Sequence, residues 1–450
     1  MSLPRELADP LPPSGPPPSP GAAGGEPSLG PPETKNGRLS GLPATAADLP
    51  GALARITAER WIHDAMARLS PLEPWIRRQQ LAVAAIPAPT GGEGLRAEWM
   101  RSQFLALGLS VEIDAVGNVL AVLPPARTAE AGGASPYILL TAHLDTAFPP
   151  GTAMTARFEN GQLRGPSVLD NAAGLAALLA LARVCTEAGA DAQFAPFLFA
   201  ADVGEEGEGN LRGMRHLFAA PWAARIAHTL VLDGPSLDIT TRALGSRRFQ
   251  VQVTAPGGHS WADAGGATAT HALARIAARL LATAACEPGV AACSIGQIAG
   301  GEAINTLAAS AGMKVDLRAA EPARLEALAQ TLRAAVEYGI RQENRLALHG
   351  AAEARVEILG ERPAGALPAE APLRAALAQV DAELGIQAAD TLASTDANIP
   401  LALGRSALRL GAGGRGGGGH TLQEWFDPAG RALALRRVLL LMALLADGIS

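Results

Sequence analysis

The sequence predicts an α/β layered fold in two parts. Three observations carry that prediction. Apolar strands alternate with helical stretches through most of the chain. Four of those strands end at His143/Asp145, near Asp170, at Glu205/Glu206 and at Asp233. At about Gly245 the pattern changes to strand, helix, two strands, helix, strand, the order of an inserted ferredoxin-like α+β unit.

Taken in order, residues 1–50 hold 13 of the 34 prolines and no aromatic residue. Such a segment buries too little apolar surface to offset its ordering entropy, and reads as a disordered Pro/Gly-rich tail. It has neither the basic nor the apolar region of a signal peptide. Helices are expected over 53–69 and 72–85, joined at Ser70-Pro71. Thr90 and Glu93 have capping-box spacing before a helix over 93–108, which Gly108 closes. VEIDA and NVLAVL follow as strands about a Val116-Gly117 turn, and then the strand over 137–142. After it, GPSVLDNAAGLAALLALARV opens a long helix, FAPFLFAAD is a buried strand running into VGEEGEGNLRG, and HTLVLD is another strand.

The inserted unit is expected over 244–360, within a discontinuous domain of 53–243 and 361–450. Its parts are the strand FQVQVTA, the turn PGGHSW and a helix over 267–285. The strands ACSIGQIAGG and MKVDLRA, a helix over 322–341 and a strand over 354–359 complete it. The chain then returns through a helix over 370–384, TLASTDANIPLAL, the strand SALRLG and AGGRGGGGHTLQEWFD to a helix over 428–446.

Composition narrows the function. At 450 residues two domains are the expectation. No apolar run is long enough to cross a membrane; 267–285 comes nearest and is amphipathic. A net charge of −6 without a basic block argues against nucleic acid. Cys185, Cys286 and Cys293 form no CxxC pair, and read as ordinary buried thiols in a reducing, cytoplasmic setting.

The chemistry gathers at the strand ends. Residues two apart on a strand share a face, so His143 and Asp145 project together. They suit either a zinc ligand with its carboxylate partner or a plain strand-end hydrogen bond. Asp170 and Asn171 could equally cap the helix that follows, and the Glu205-Glu206 pair could be a solvated acidic loop. Repetition at four strand ends, where such folds gather ligand groups, favours the metal. The Gly run 413–419 lacks phosphate-loop spacing and is expected to let the backbone pass close to a site and deliver His420.

HLD at 143–145, Asp170-Asn171, Glu205-Glu206, Asp233, GGHSW at 257–261 and His420 together resemble one family. It is the co-catalytic zinc exopeptidase family of peptidase T, aminoacylase, acetylornithine deacetylase and carboxypeptidase G-type enzymes. GGRGGGGHTLQEWFD and the NLRG after the glutamates look most like its peptidase T-like di/tripeptidase branch. The resemblance implies a mixed-sheet catalytic domain and an inserted lid and dimerisation domain. It implies two Zn2+ (Co2+ or Mn2+ would also suit) bridged by Asp170. His143 and Asp233 would serve one ion, Glu206 and His420 the other. Glu205 would be the general base and Asp145 would orient His143. The Asp170-Asn171 peptide would be cis. His259 would stabilise an oxyanion, often across a homodimer, while Asn305 and Arg318 would contact substrate, with Arg415 a weaker candidate. His63, His216, His228, His271 and His349 match no motif, and Trp261 is expected to pack around the His259 turn.

The residues support that chemistry. Imidazole and carboxylate ligands suit zinc, cobalt or manganese. Three carboxylates offset three of the four charges of two divalent ions. The expected reaction is hydrolysis of an amide in a small peptide by a metal-activated water. The alternative is an N-acyl amino acid deacylase of the acetylornithine deacetylase type. A binding protein that had lost catalysis would be expected to lack one of these residues, and none is replaced.

Overall fold

The computed structural model describes residues 49–123, 136–188 and 196–448. Most of the expected disordered tail lies outside them. Leu49 and Pro50 do not fit that expectation: the helix Leu49–Ala58 begins there, and Leu49 is buried in the core.

A nine-stranded mixed sheet organises the fold. Its centre is four mutually parallel strands, Phe197–Asp202, Tyr137–His143, Ile226–Leu232 and Ser406–Leu410. Strands buried on both faces read as continuous apolar runs, and YILLTAH and FLFAAD are buried at every position. Alternate residues feed two cores. Ile138, Leu140, Ala142, Phe197 and Phe199 face a large helical layer that includes Ala172–Ala188 and Arg431–Asp447. Leu139, Leu198 and Ala200 face Met214, Leu217 and Ile399 on the other side. Each fully buried leucine contributes roughly 1.5–3 kcal/mol.

Parallel strands of this kind bring their carboxyl ends to one edge. That edge carries His143, the loop after Asp202 and Asp233.

A second, four-stranded antiparallel sheet holds Ala291–Gly300, Ser310–Ala319, Gly245–Thr254 and Glu353–Arg362, in that order. Phe249, Val251, Val253, Met313, Val315 and Leu317 pack against the helices Ala269–Thr283 and Pro322–Leu346. The alternate residues, among them Arg248 and Arg318, form the sheet's polar face.

Several local expectations are corrected. The helix over 53–69 is two helices, broken at Glu59, which is extended at ψ 128°. Thr90 and Glu93 form no capping box. The Thr90 hydroxyl donates to Asp145, and the Glu93 carboxylate accepts from Gly91 N and Arg212. Asn171 rather than Asp170 caps the long helix, accepting from Gly174 N at 3.1 Å. Four short strands, Arg157–Glu159, Gln162–Arg164, Arg415–Gly417 and Trp425–Asp427, make a further sheet that three-residue patterns do not signal. Cys185 is buried, but Cys286 is exposed.

Candidate metal centre

The strand ends converge on a cleft of about 500 Å³. His143, Asp170, Glu205, Glu206, Asp233, His420 and Arg318 all line it. Asp145 is fully buried behind them.

Asp170 lies at the middle. His143 Nε2 is 3.1 Å from its Oδ1, and His420 Nε2 is 3.1 Å from its Oδ2. His420 Nε2 is also 2.9 Å from Glu206 Oε1. The ligand atoms of His143, Asp170 and Asp233 lie within 4.8 Å of one another, and so do those of Asp170, Glu206 and His420. The two triads share Asp170. The Asp170-Asn171 peptide is cis.

Asp145 fixes the glutamate pair. Its Oδ1 accepts from Glu205 N and its Oδ2 from Glu206 N, both at 2.9 Å. Thr90 Oγ1 donates to Oδ2, also at 2.9 Å. The His143 ring contacts the same residue twice: Nδ1 is 3.1 Å from the Asp145 carbonyl and 3.6 Å from its Oδ1. His420 arrives on the glycine run. Gly414 has φ +73°, and a side chain at Gly416 would meet Leu169 within 2.7 Å. His420 itself is left-handed, at φ 63°.

The electrostatics are those of a crowded acidic site. Burial would lower the His143 pKa, but the adjacent carboxylates of Asp145 and Asp170 outweigh it and hold the pKa well above the usual value. The adjacent carboxylates of Asp170 and Glu206 raise His420 to about 11. Burial pushes the Glu205 carboxyl up to about 8, against the nearby charges of Arg362 and His143. Burial, then the Asp170 charge, raises Asp233.

These residues fit divalent ions. Asp170 Oδ1 and Glu206 Oε1 are buried without a well-formed hydrogen bond, even though imidazole nitrogens stand close to both. Buried carboxylate oxygens without hydrogen-bond partners, gathered with imidazole nitrogens, are a donor set suited to a cation. Each triad supplies three ligand residues, the number that catalytic zinc sites draw from the protein.

Residues to which the sequence assigned no role complete the site. Arg362, buried at the end of Glu353–Arg362, donates from Nη1 to Glu205 Oε1 at 2.9 Å and from Nη2 to the Glu205 carbonyl. Arg248 and Ser394 also line the cleft. Glu424 is buried, and its two oxygens accept from Leu169 N and His420 N. Arg362 ends a strand of unremarkable pattern, and Glu424 follows His420 by four positions, the only signal either offered.

His259 and Asn305 stand elsewhere. His259 pairs with Thr306, and Ser260 N donates to the Asn305 carbonyl; within this chain neither residue lines the cleft. Trp261 is 86% exposed and does not pack around the turn as expected. Arg415 pairs with Asp427 at the surface, away from the cleft. His228 is buried with Nδ1 2.8 Å from Ser406 Oγ, and burial lowers it to about 4.

Fold and cleft define a metallohydrolase of the α/β class. The model of Peptidase family M20/M25/M40 matches residues 139–445, and the chain belongs to that family. It is therefore a peptidase or amidohydrolase. Its fold is similar to that of aminopeptidase PepT from Bacillus cereus, at 19% identity and TM-score 0.65, covering 82% of this chain and 98% of that one. It is also similar to the YXEP protein of Bacillus subtilis, described as a dinuclear metal binding peptidase of the M20 family. That likeness has 13% identity and TM-score 0.61, over 86% of this chain and 99% of that one. A putative LysW-lysine/LysW-ornithine hydrolase from Pyrococcus furiosus is 38% identical over 85 residues, 19% of this chain. The match spans 23% of that relative's length. Among the described residues no helix is long and apolar enough to cross a membrane.

Proposed function

We propose that this enzyme hydrolyses the amide bond of a small peptide, as a di- or tripeptide exopeptidase, at two divalent ions. The observation that carries the reading is the pair of triads sharing Asp170 beside Glu205 in one cleft. His143, Asp170 and Asp233 would hold one ion, and Asp170, Glu206 and His420 the other. The donor set suits Zn2+, with Co2+ or Mn2+ as substitutes. Bound there, the ions would supply Lewis acidity and lower the pKa of a water.

Glu205 takes the proton of the attacking water and returns it to the leaving amine. Nearby divalent charge favours its ionised form. Arg362 holds the Glu205 carboxylate, and Asp145 fixes the main chain that presents it. Arg318, on the polar face of the second sheet, grips the substrate's C-terminal carboxylate, for which a planar guanidinium is suited.

Residues 244–360 act as lid and dimerisation surface in this reading. His259 Nδ1 accepts from Trp261 N and Ala262 N, so a neutral ring carries its proton on Nε2, a donor suited to an oxyanion. With Asn305 it would serve the partner's cleft in a homodimer. Exposed Trp261, Ile304 and Leu348 around the turn support that contact. The free cysteines suit a reducing compartment, the cytoplasm.

The test is a panel of dipeptides, tripeptides and N-acyl amino acids, assayed with and without chelator. Peptide cleavage that chelator abolishes is expected. Preference for N-acyl amino acids would make the enzyme a deacylase instead, and chelator-insensitive turnover would remove the metal from the mechanism.

A further inference from the structure

Glu424 lies in the HTLQEW segment four residues after His420, and it joins two of the cleft's loops. Its own backbone is fixed by the short sheet: Gly165 N donates to its carbonyl at 3.0 Å, and Trp425 next to it pairs with Arg164. From that anchor the buried side chain reaches inward. Oε2 accepts from Leu169 N at 3.1 Å, with Asp170 N at 3.5 Å, and Oε1 accepts from His420 N at 3.1 Å.

The two loops depend on it unequally. Asp170 has a second anchor, because the Asn171 side chain that follows is tied to Gly174 N and to the Leu232 carbonyl. His420 rides a glycine-rich loop in a left-handed conformation, with its side chain 56% exposed. Its ring meets Asp170 and Glu206, and around its main chain the other described bonds are turn contacts among Gly418, Thr421 and Glu424. The bond from Glu424 to its N–H ties the His420 main chain to the buried frame.

We infer that Glu424 is a positioning residue for the triad of Asp170, Glu206 and His420. Its loss should weaken that metal site while sparing the triad of His143, Asp170 and Asp233. The inference rests on the two-ion reading above. A carboxylate suits the task because it offers an acceptor to each of two N–H groups. An amide offers one oxygen and turns an NH2 toward the other N–H.

The experiment is a zinc titration of chelator-stripped protein by calorimetry, with metal analysis after dialysis. Wild type, Glu424→Ala, Glu424→Gln, His420→Ala and Asp233→Ala are compared, and circular dichroism reports folding. Glu424→Ala should keep one tight ion and bind the second roughly 10–100-fold more weakly, the range for residues that orient metal ligands. It should resemble His420→Ala. Glu424→Gln, which keeps one of the two bonds, should fall between it and wild type, and carries the test should the alanine variant not fold. Two tight ions in a folded Glu424→Ala, or equal weakening of both, would overturn the inference while leaving the metal reading intact. A wild-type protein that binds fewer than two ions would instead remove the reading on which it rests.

Discussion

Asp145→Asn tests how the cleft is held together, because one buried side chain supports both glutamates. In the native chain its two oxygens accept from Glu205 N, Glu206 N and the Thr90 hydroxyl, each at 2.9 Å. Asparagine keeps the shape but has one acceptor oxygen. One main-chain N–H must then face an NH2 group or nothing. A hydrogen bond to a charged group is worth roughly 1.5–3 kcal/mol, so the variant should lose about that much stability in urea unfolding. The fixed negative charge beside His143 also goes. Second partners of this kind typically account for roughly 10–100-fold in metal affinity or activity. The expected result is therefore a folded, measurably less stable protein whose zinc affinity falls by that factor. Wild-type stability together with wild-type zinc affinity would refute the reasoning, since nothing would then depend on the Asp145 charge.

Three further predictions follow from the same geometry. Glu205→Gln should bind zinc as wild type does and lose roughly 10²–10⁴-fold in turnover, the range for a general base; undiminished kcat would end its assignment. Arg362→Ala removes one partner of a buried ion pair, a change that costs roughly 3–5 kcal/mol, and added guanidinium should restore part of kcat. Failure of rescue in a folded variant would make Arg362 a packing residue only. In metal-free protein Glu205 is raised to about 8 and His420 to about 11. Groups whose folded pKa exceeds the unfolded one stabilise below the unfolded value, and that stability is lost as pH rises through the folded value. Chelated protein should therefore melt lower at about pH 9 than at about pH 6, while zinc affinity rises over the same window because protons and metal compete. A higher melting temperature at the alkaline end would contradict the arrangement of these groups.

Much of the fold was legible because its strands are long and apolar. YILLTAH and FLFAAD are buried on both faces, so their carboxyl ends could be placed, and with them the residues that line the cleft. What escaped was set by partners distant in sequence. Thr90 has the spacing of a helix cap, but Asp145, 55 residues away, takes its hydroxyl. Asp170 and Asn171 are both good caps. Only the fold shows that Asn171 caps the helix while Asp170 turns to the two histidines. Arg362 reaches Glu205 across 157 residues, and no local pattern encodes that approach. The three-residue strands of the small sheet are too short to show a period, although they anchor Glu424. Trp261 is a large apolar side chain of the kind that usually packs, yet it is exposed, and nothing in the local sequence marks that.

The central claim is that Asp170 belongs to two metal sites at once, and one titration addresses it directly. Zinc is added to chelator-stripped wild-type and Asp170→Ala protein, and the bound ions are counted per chain. The account predicts two ions in the wild type and the loss of both tight sites in a folded Asp170→Ala. An Asp170→Ala protein that still binds two ions tightly, or a wild-type protein that binds none, would contradict it.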